Sequence, residues 1–206
     1  MRALATIALL WPGAVIAEEP KPSLAVNFGL LQPIVLGGGN VEVDFRYGPF
    51  VASYSHGWSL DISGGLVTGE QRDQHLRLHV PYTTGLGLGL GHHFEAIPLF
   101  LDARFELKTH RFEPAVDDSA NGTLQMLPAY STITVGGGVY ATYVPWRHID
   151  ISTSFRVWPN VWSSLDGNAM TYANSATQRM ETMHASNIGI ANTPFIVNVS
   201  VGYLFD

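Results

Sequence analysis

The sequence contains no cysteine, which excludes a disulfide framework and a thiolate metal site. Charge is scarce: Asp, Glu, Lys and Arg make up 14% of 206 residues. The balance is acidic, with a formal net charge of −6, which argues against a nucleic-acid or polyanion binder. Beyond residue 17 no apolar run approaches the roughly 18 residues of a membrane-spanning helix. A chain that crosses a membrane without such a helix must close its strands into a barrel. Only helices and closed sheets satisfy every backbone N–H and C=O in lipid.

What is present begins with an export signature. Met1-Arg2 is a short basic start, residues 3–16 are almost wholly apolar, and Ala17 precedes the polar, helix-breaking Glu18-Glu19-Pro20. This predicts a signal peptide over 1–17, a short periplasmic segment over 18–23 and one barrel domain over 24–206.

Two-residue alternation dominates the rest. Alternate side chains of a strand point to opposite faces. Leu76, Leu78, Val80, Tyr82, Leu86, Leu88 and Leu90 share one face, opposite Arg77, His79 and a row of glycines. Leu99, Leu101, Ala103, Phe105 and Leu107 oppose Asp102, Arg104, Glu106, Lys108 and His110. Val41, Val43, Phe45 and Tyr47 oppose Glu42, Asp44 and Arg46. Ile149, Ile151, Phe155 and Val157 oppose Asp150, Ser152, Ser154 and Arg156. The last segment sets Phe195, Val197, Val199, Val201, Tyr203 and Phe205 against Asn198, Ser200 and Gly202. Residues 24–35, 50–58 and 130–144 alternate less strictly.

The expectation is an all-β, eight-stranded antiparallel up-and-down transmembrane barrel. Ten strands become an alternative if part of 162–190 pairs as an extra hairpin. Connections 48–49, 95–98 and 145–148 are short, whereas three of 36–40, 59–73, 113–129 and 159–194 are long. Short periplasmic turns with long external loops suit a membrane barrel. Tyr47, Phe50, Phe94, Tyr143, Tyr203 and Phe205 fall at the short-turn end of the apolar face, where an aromatic girdle belongs. Trp58 and Phe195 lie near the other end.

The opposite face carries Glu42, Asp44, Asp102, Glu106 and Asp150 against Arg46, Arg77, Arg104, Lys108 and Arg156. Such a match of acids and bases suits an enclosed lumen, where charges must pair. It predicts a plugged lumen without an open pore, and a structural or surface-interaction role carried by the long loops. A soluble lipocalin-like ligand-binding barrel would instead keep its apolar face inside. The lumenal glycines of Gly85-Leu-Gly-Leu-Gly-Leu-Gly91 are expected to make room for bulky neighbours. Their spacing lacks the pattern of a phosphate loop. His92 and His93 point opposite ways on a strand, and no cofactor or metal is expected.

This pattern resembles the small outer-membrane barrel proteins of Gram-negative bacteria, the OmpA/OmpX-type architecture. The final strand, Asn198 to Phe205, is similar to the terminal strand that the barrel-assembly machinery reads in that family. The resemblance implies an outer-membrane location, contact with outer-membrane lipid and lipopolysaccharide, and a monomer. A local stretch, His184-Ala-Ser186-Asn187-Ile-Gly189, resembles the outer-membrane lipid A 3-O-deacylase family. That resemblance implies ester hydrolysis with His184 as base, Ser186 as nucleophile, and Asn187 or Asn192 at the transition state. The last strand offers no carboxylate to orient His184, which leaves Glu181 as the candidate third member.

Overall fold

The computed structural model describes residues 21–94 and 96–205. The expected signal segment, the first residues of the 18–23 segment, Glu95 of one expected turn, and Asp206 lie outside the described residues. Twelve strands follow in order among them: β1 (Ser23–Gly29), β2 (Gly39–Tyr47), β3 (Phe50–Ile62), β4 (Leu76–Phe94), β5 (Leu99–Asp118), β6 (Thr123–Met126), β7 (Tyr130–Trp146), β8 (Ile149–Val157), β9 (Asn160–Ser163), β10 (Ala169–Asn174), β11 (Arg179–His184) and β12 (Phe195–Phe205).

Eight of them close into an antiparallel barrel in the order β1-β2-β3-β4-β5-β7-β8-β12, and β12 pairs back onto β1. Closure leaves no continuous edge to satisfy. The ten-strand alternative does not form. β10 and β11 do pair as a hairpin, but in a separate sheet.

Side-chain direction explains the closure. The large apolar residues point outward and stay exposed in the isolated chain, including Leu88 (69%), Phe105 (63%) and Val197 (59%). The charged residues of the same strands are buried inside. Apolar outside and polar inside is the inverse of a soluble closed barrel, and it is stable only with lipid around it. Outward polar groups satisfy each other: the Thr84 and Thr109 hydroxyls lie 2.9 Å apart across β4 and β5.

Tyr47, Phe50, Phe94, Tyr143, Tyr203 and Phe205 all project outward at the short-turn end. At the other end Phe28 and Trp58 meet with ring centroids 6.2 Å apart, Tyr82 lies opposite Trp58, and Phe155 stacks on Phe195 at 6.0 Å. The second girdle is therefore fuller than Trp58 and Phe195 alone.

β4 and β5 run for 19 and 20 residues, about twice what a tilted strand needs to cross a bilayer. Their excess rises beyond the barrel at the long-loop end. There β6 pairs beside the upper end of β5 and β9 beside that of β7, and Gln125 of β6 bonds the β10–β11 hairpin. Register shifts between His79 and Thr83, around Pro81. Below the shift the odd residues of β4 face inward; above it the even residues do. Leu76, Leu78 and Val80 therefore turn inside, joining Leu60, Phe112, Val116 and Tyr130 in an apolar core that caps the lumen.

Replacing Phe105 by Arg puts a charge on the lipid face at mid-strand. We expect a cost of about 2–4 kcal/mol if Phe105 sits at bilayer midplane depth, measured as a lower urea midpoint in phospholipid vesicles.

Candidate functional site

The lumen holds the densest polar chemistry in the molecule. Arg104, on β5, sits at its centre with a fully buried side chain. Its Nε donates to Asp102 Oδ1 at 2.5 Å, its Nη1 to Glu42 Oε1 at 2.8 Å and Asp44 Oδ1 at 2.6 Å, and its Nη2 to Asp44 Oδ2 at 2.9 Å. One guanidinium thus engages three carboxylates through its planar fork of donors. Arg156 donates to the other Glu42 oxygen at 2.8 Å and to Ser154 Oγ at 2.8 Å. Lys108 pairs with Glu106 at 3.1 Å and donates to Ser55 at 2.8 Å. Arg46 reaches Asp44 at 3.3 Å and Thr142 at 3.2 Å.

Aromatic rings line this network on the polar face. Tyr140 donates to Glu106 and lies beneath both guanidinium groups, 3.8 Å from Arg104 and 4.6 Å from Arg156. Phe100 lies under Arg46 at 4.9 Å, and Trp158 under the Lys108 ammonium at 4.1 Å. Charge alternation alone passes over these rings, although Phe100 has the same parity as Asp102 and was findable on that ground. The glycines do make room. A Cβ on Gly89 would come within 2.9 Å of Arg104 Cγ, and one on Gly85 within 2.6 Å of Lys108 Cγ.

Arg77 departs from the sequence expectation. It lies above the register shift, faces solvent, and pairs loosely with Asp117 at 3.8 Å. Faces inferred on one side of a bulge invert on the other. Among the described residues the lumen therefore encloses five acids (Glu42, Asp44, Asp102, Glu106, Asp150) and four bases (Arg46, Arg104, Lys108, Arg156). Asp150 is the acid in excess: neither of its oxygens has a hydrogen-bond partner among the described residues.

The stretch around Ser186 is built as a structural knot. Ser186 is fully buried, and its Oγ accepts from Gln71 Nε2 at 3.0 Å. Its N–H donates to the Tyr130 hydroxyl at 3.1 Å, and its carbonyl accepts from Asn160 at 2.8 Å. Gln71 is itself held by a short helix, α1 (Gly69–Asp73), through a reciprocal capping box with Thr68. Asn187 and Asn192 bond each other. His184 sits exposed at the end of β11, opposite Ala169. Glu181 accepts from Asn174 at 2.6 Å and Thr177 at 2.7 Å, not from His184. The geometry does not assemble His184, Ser186 and Glu181 into a hydrolytic triad. His56, His79 and His110 do not form one cluster: His79 is half-buried beside Asp61, whereas His110, buried between Thr83 and Thr134, lines the barrel mouth with His56.

No protein-family model and no curated protein matches the chain. Solved structures do. A major outer-membrane protein of Thermus thermophilus aligns with a TM-score of 0.50 at 12% identity, over 90% of this chain and 100% of that one. The N-terminal β-barrel domain of Pseudomonas aeruginosa OprF aligns at 0.49 and 10% identity, over 90% and 99%. Ail of Yersinia pestis gives 0.43 and 8%, over 91% and 100%. The chain has the closed eight-stranded barrel fold of outer-membrane proteins.

Changing Arg104 to Met strands the buried Asp102 carboxylate and leaves Glu42 and Asp44 with one basic partner each, Arg156 and Arg46. The expected cost is about 3–5 kcal/mol, read as a lower urea midpoint. Arg77→Met, at an exposed and loose pair, should cost under about 1 kcal/mol. A second test concerns the cap. Tyr172 donates to Gln74 at 3.1 Å, and burial, then Glu181, push its hydroxyl up to about 12. An acid held up in the folded state contributes stability below its unfolded value of about 10 and loses it as pH rises through the folded value. Near-UV circular dichroism should therefore show the cap loosening between pH 10 and 12, less so in Tyr172→Phe.

Proposed function

We propose that this chain is an outer-membrane barrel of a Gram-negative bacterium, exported by its signal segment. Its lumen is closed to diffusion, and its role is structural or interactive, carried by the long-loop end facing outward. The observation that carries this reading is the Arg104 network, which spans the lumen from β2 to β5 with buried, mutually bonded side chains. Eight strands enclose a space that side chains can fill, and the apolar cap seats a second plug above the first. Moving any one of these charges strands its partners in a low-dielectric interior.

The cap supplies a surface as well as a seal. Leu124, Met126, Trp162 and Met180 are exposed there. Gln125 ties β6 to the β10–β11 hairpin by bonds of 2.7 Å to Ala173 and 2.9 Å from Ser175. A braced platform with exposed Met and Trp suits contact with lipopolysaccharide or another surface molecule. The apolar belt meets membrane lipid, and β12, ending in Phe205, is the segment offered to the barrel-assembly machinery.

Purified protein in a planar bilayer should give no sustained single-channel current; a stable ohmic conductance overturns the closed-lumen reading. In intact cells, an epitope placed in the turn at 175–178 should be labelled from outside and one at Gly48-Pro49 should not. The reverse result inverts the orientation.

A further inference from the structure

The barrel wall is uneven where it closes. β12 pairs with β8 from Phe195 onward, but on its other side β1 stops at Gly29, opposite Ser200. The last bond across that seam runs from Leu30 N–H to Val199 O at 2.8 Å. Beyond it the chain leaves the sheet into a wide helical turn, Gln32–Leu36, with Pro33 withholding an N–H and Gly37 at φ +74°. The upper end of β12 therefore borders that turn, not a strand.

Two adjoining spaces border this gap. One is an apolar groove of about 250 Å³ lined by Val35, Ile62, Leu66, Phe195 and Val197, among others. Phe195 and Val197 belong to the lipid-facing surface, so the groove opens at the bilayer. The second, about 50 Å³, lies inside the barrel mouth. The two share Gln32, Leu36, Ile188 and Ile196 as walls.

The inner space is polar in a particular way. Gln32, Asn40, His56, Trp158 and Asn198 all line it, and each has a buried side-chain atom without a hydrogen-bond partner among the described residues: Gln32 Oε1, Asn40 Oδ1, His56 Nδ1, Trp158 Nε1 and Asn198 Oδ1. Lys108 and Arg156 stand on the same wall. Buried polar atoms are almost always paired, so five gathered in one small space mark a place where something polar is bound. Three are amide oxygens that accept, the indole N–H donates, and the His56 nitrogen does either according to its tautomer. A volume of about 50 Å³ holds one or two water-sized groups, which is the size of a carboxyl.

We propose that this seam binds a free fatty acid that enters sideways from the bilayer. The acyl chain lies in the groove, with its outer part among Phe195 and Val197. The carboxyl sits in the inner space, accepting from the Trp158 indole and facing Lys108 and Arg156, while its O–H, when protonated, serves an amide oxygen. A wholly apolar occupant leaves all five polar atoms unpaired. A free ion or sugar leaves the groove unfilled. A two-chain phospholipid exceeds the space of one groove. The proposal stands whether or not the lumen conducts.

The test uses the full chain folded in phosphatidylcholine vesicles, since detergent is itself a single-chain amphiphile. The other four of its five tryptophans are changed to Phe (W11F, W58F, W146F, W162F), which leaves Trp158 as the reporter. A fatty acid brominated along its chain should give a saturable loss of Trp158 emission that unbrominated acid reverses. Leu36→Phe with Ile196→Phe should abolish the loss while the protein keeps its heat-modifiable gel mobility. If that double variant fails to fold, reversal by unbrominated acid in the unfilled protein decides the matter. No loss, or a loss that unbrominated acid does not reverse, overturns the proposal. So does equal quenching by brominated phosphatidylcholine alone, which would make the occupant a resident lipid.

Discussion

The fold turns on one guanidinium. Arg104 is placed where no water can reach it, and it is tolerable there only because Asp102, Asp44 and Glu42 reach it from two strands on opposite sides of the lumen. Those carboxylates are tolerable only because Arg104, Arg46 and Arg156 reach them. A buried ion network of this kind adds little net stability over a hydrocarbon core. Its effect is on uniqueness. A strand slipped by one residue would carry Arg104 into lipid and Phe105 into the lumen, so charge pairing and lipid exposure penalise the same error. The glycines opposite follow from it, since side chains on β4 would collide with Arg104 and Lys108.

Much of this was legible from residue parity. On β5 the even positions from Phe100 to Asp118 face inward without interruption, and Asp102, Arg104, Glu106 and Lys108 fall where alternation puts them. The six aromatic residues of the short-turn girdle are outward for the same reason. β4 was legible only up to its register shift. Arg77 obeys the alternation of its own segment, but that segment is displaced by the irregularity between His79 and Thr83. Pro81 hints at such a break without fixing its phase, because a bulge is settled by what packs on either side.

The cap was not legible at all. Its core gathers Leu60, Phe112, Tyr130, Tyr172, Met183 and Ile188 from elements far apart in the chain. None belongs to a periodic pattern that names the others. Ser186 illustrates the cost of reading such a segment by motif. In sequence it stands two residues from His184 beside an Asn, in the order of a hydrolase. In space its hydroxyl is spent on Gln71, at a sequence distance of 115 residues. A nucleophile has to be reachable by its base and its substrate, and this one is reachable by neither.

The molecule therefore has two interiors of opposite kind on one axis. At membrane level the inside is polar because the outside is lipid. Above that level the outside is no longer lipid, and the same strands bury Leu76, Leu78 and Val80, as a soluble protein would. The register shift in β4 is the device that makes the exchange on that strand. β5 makes it without a bulge, by changing residue type from His110 to Phe112 on a constant face. Where the two interiors meet, side chains suited to neither must coexist: Trp158 with its ring against Lys108 and its indole N–H unpaired, and Asn198 one step below the apolar Ile196. A junction of this kind cannot satisfy every polar atom from within, since half of its wall is hydrocarbon. It also lies at the height where β1 gives out and the wall opens to lipid. The short first strand and the unpaired polar atoms are thus two consequences of one geometric fact. The barrel changes solvent at the level where it is least completely closed.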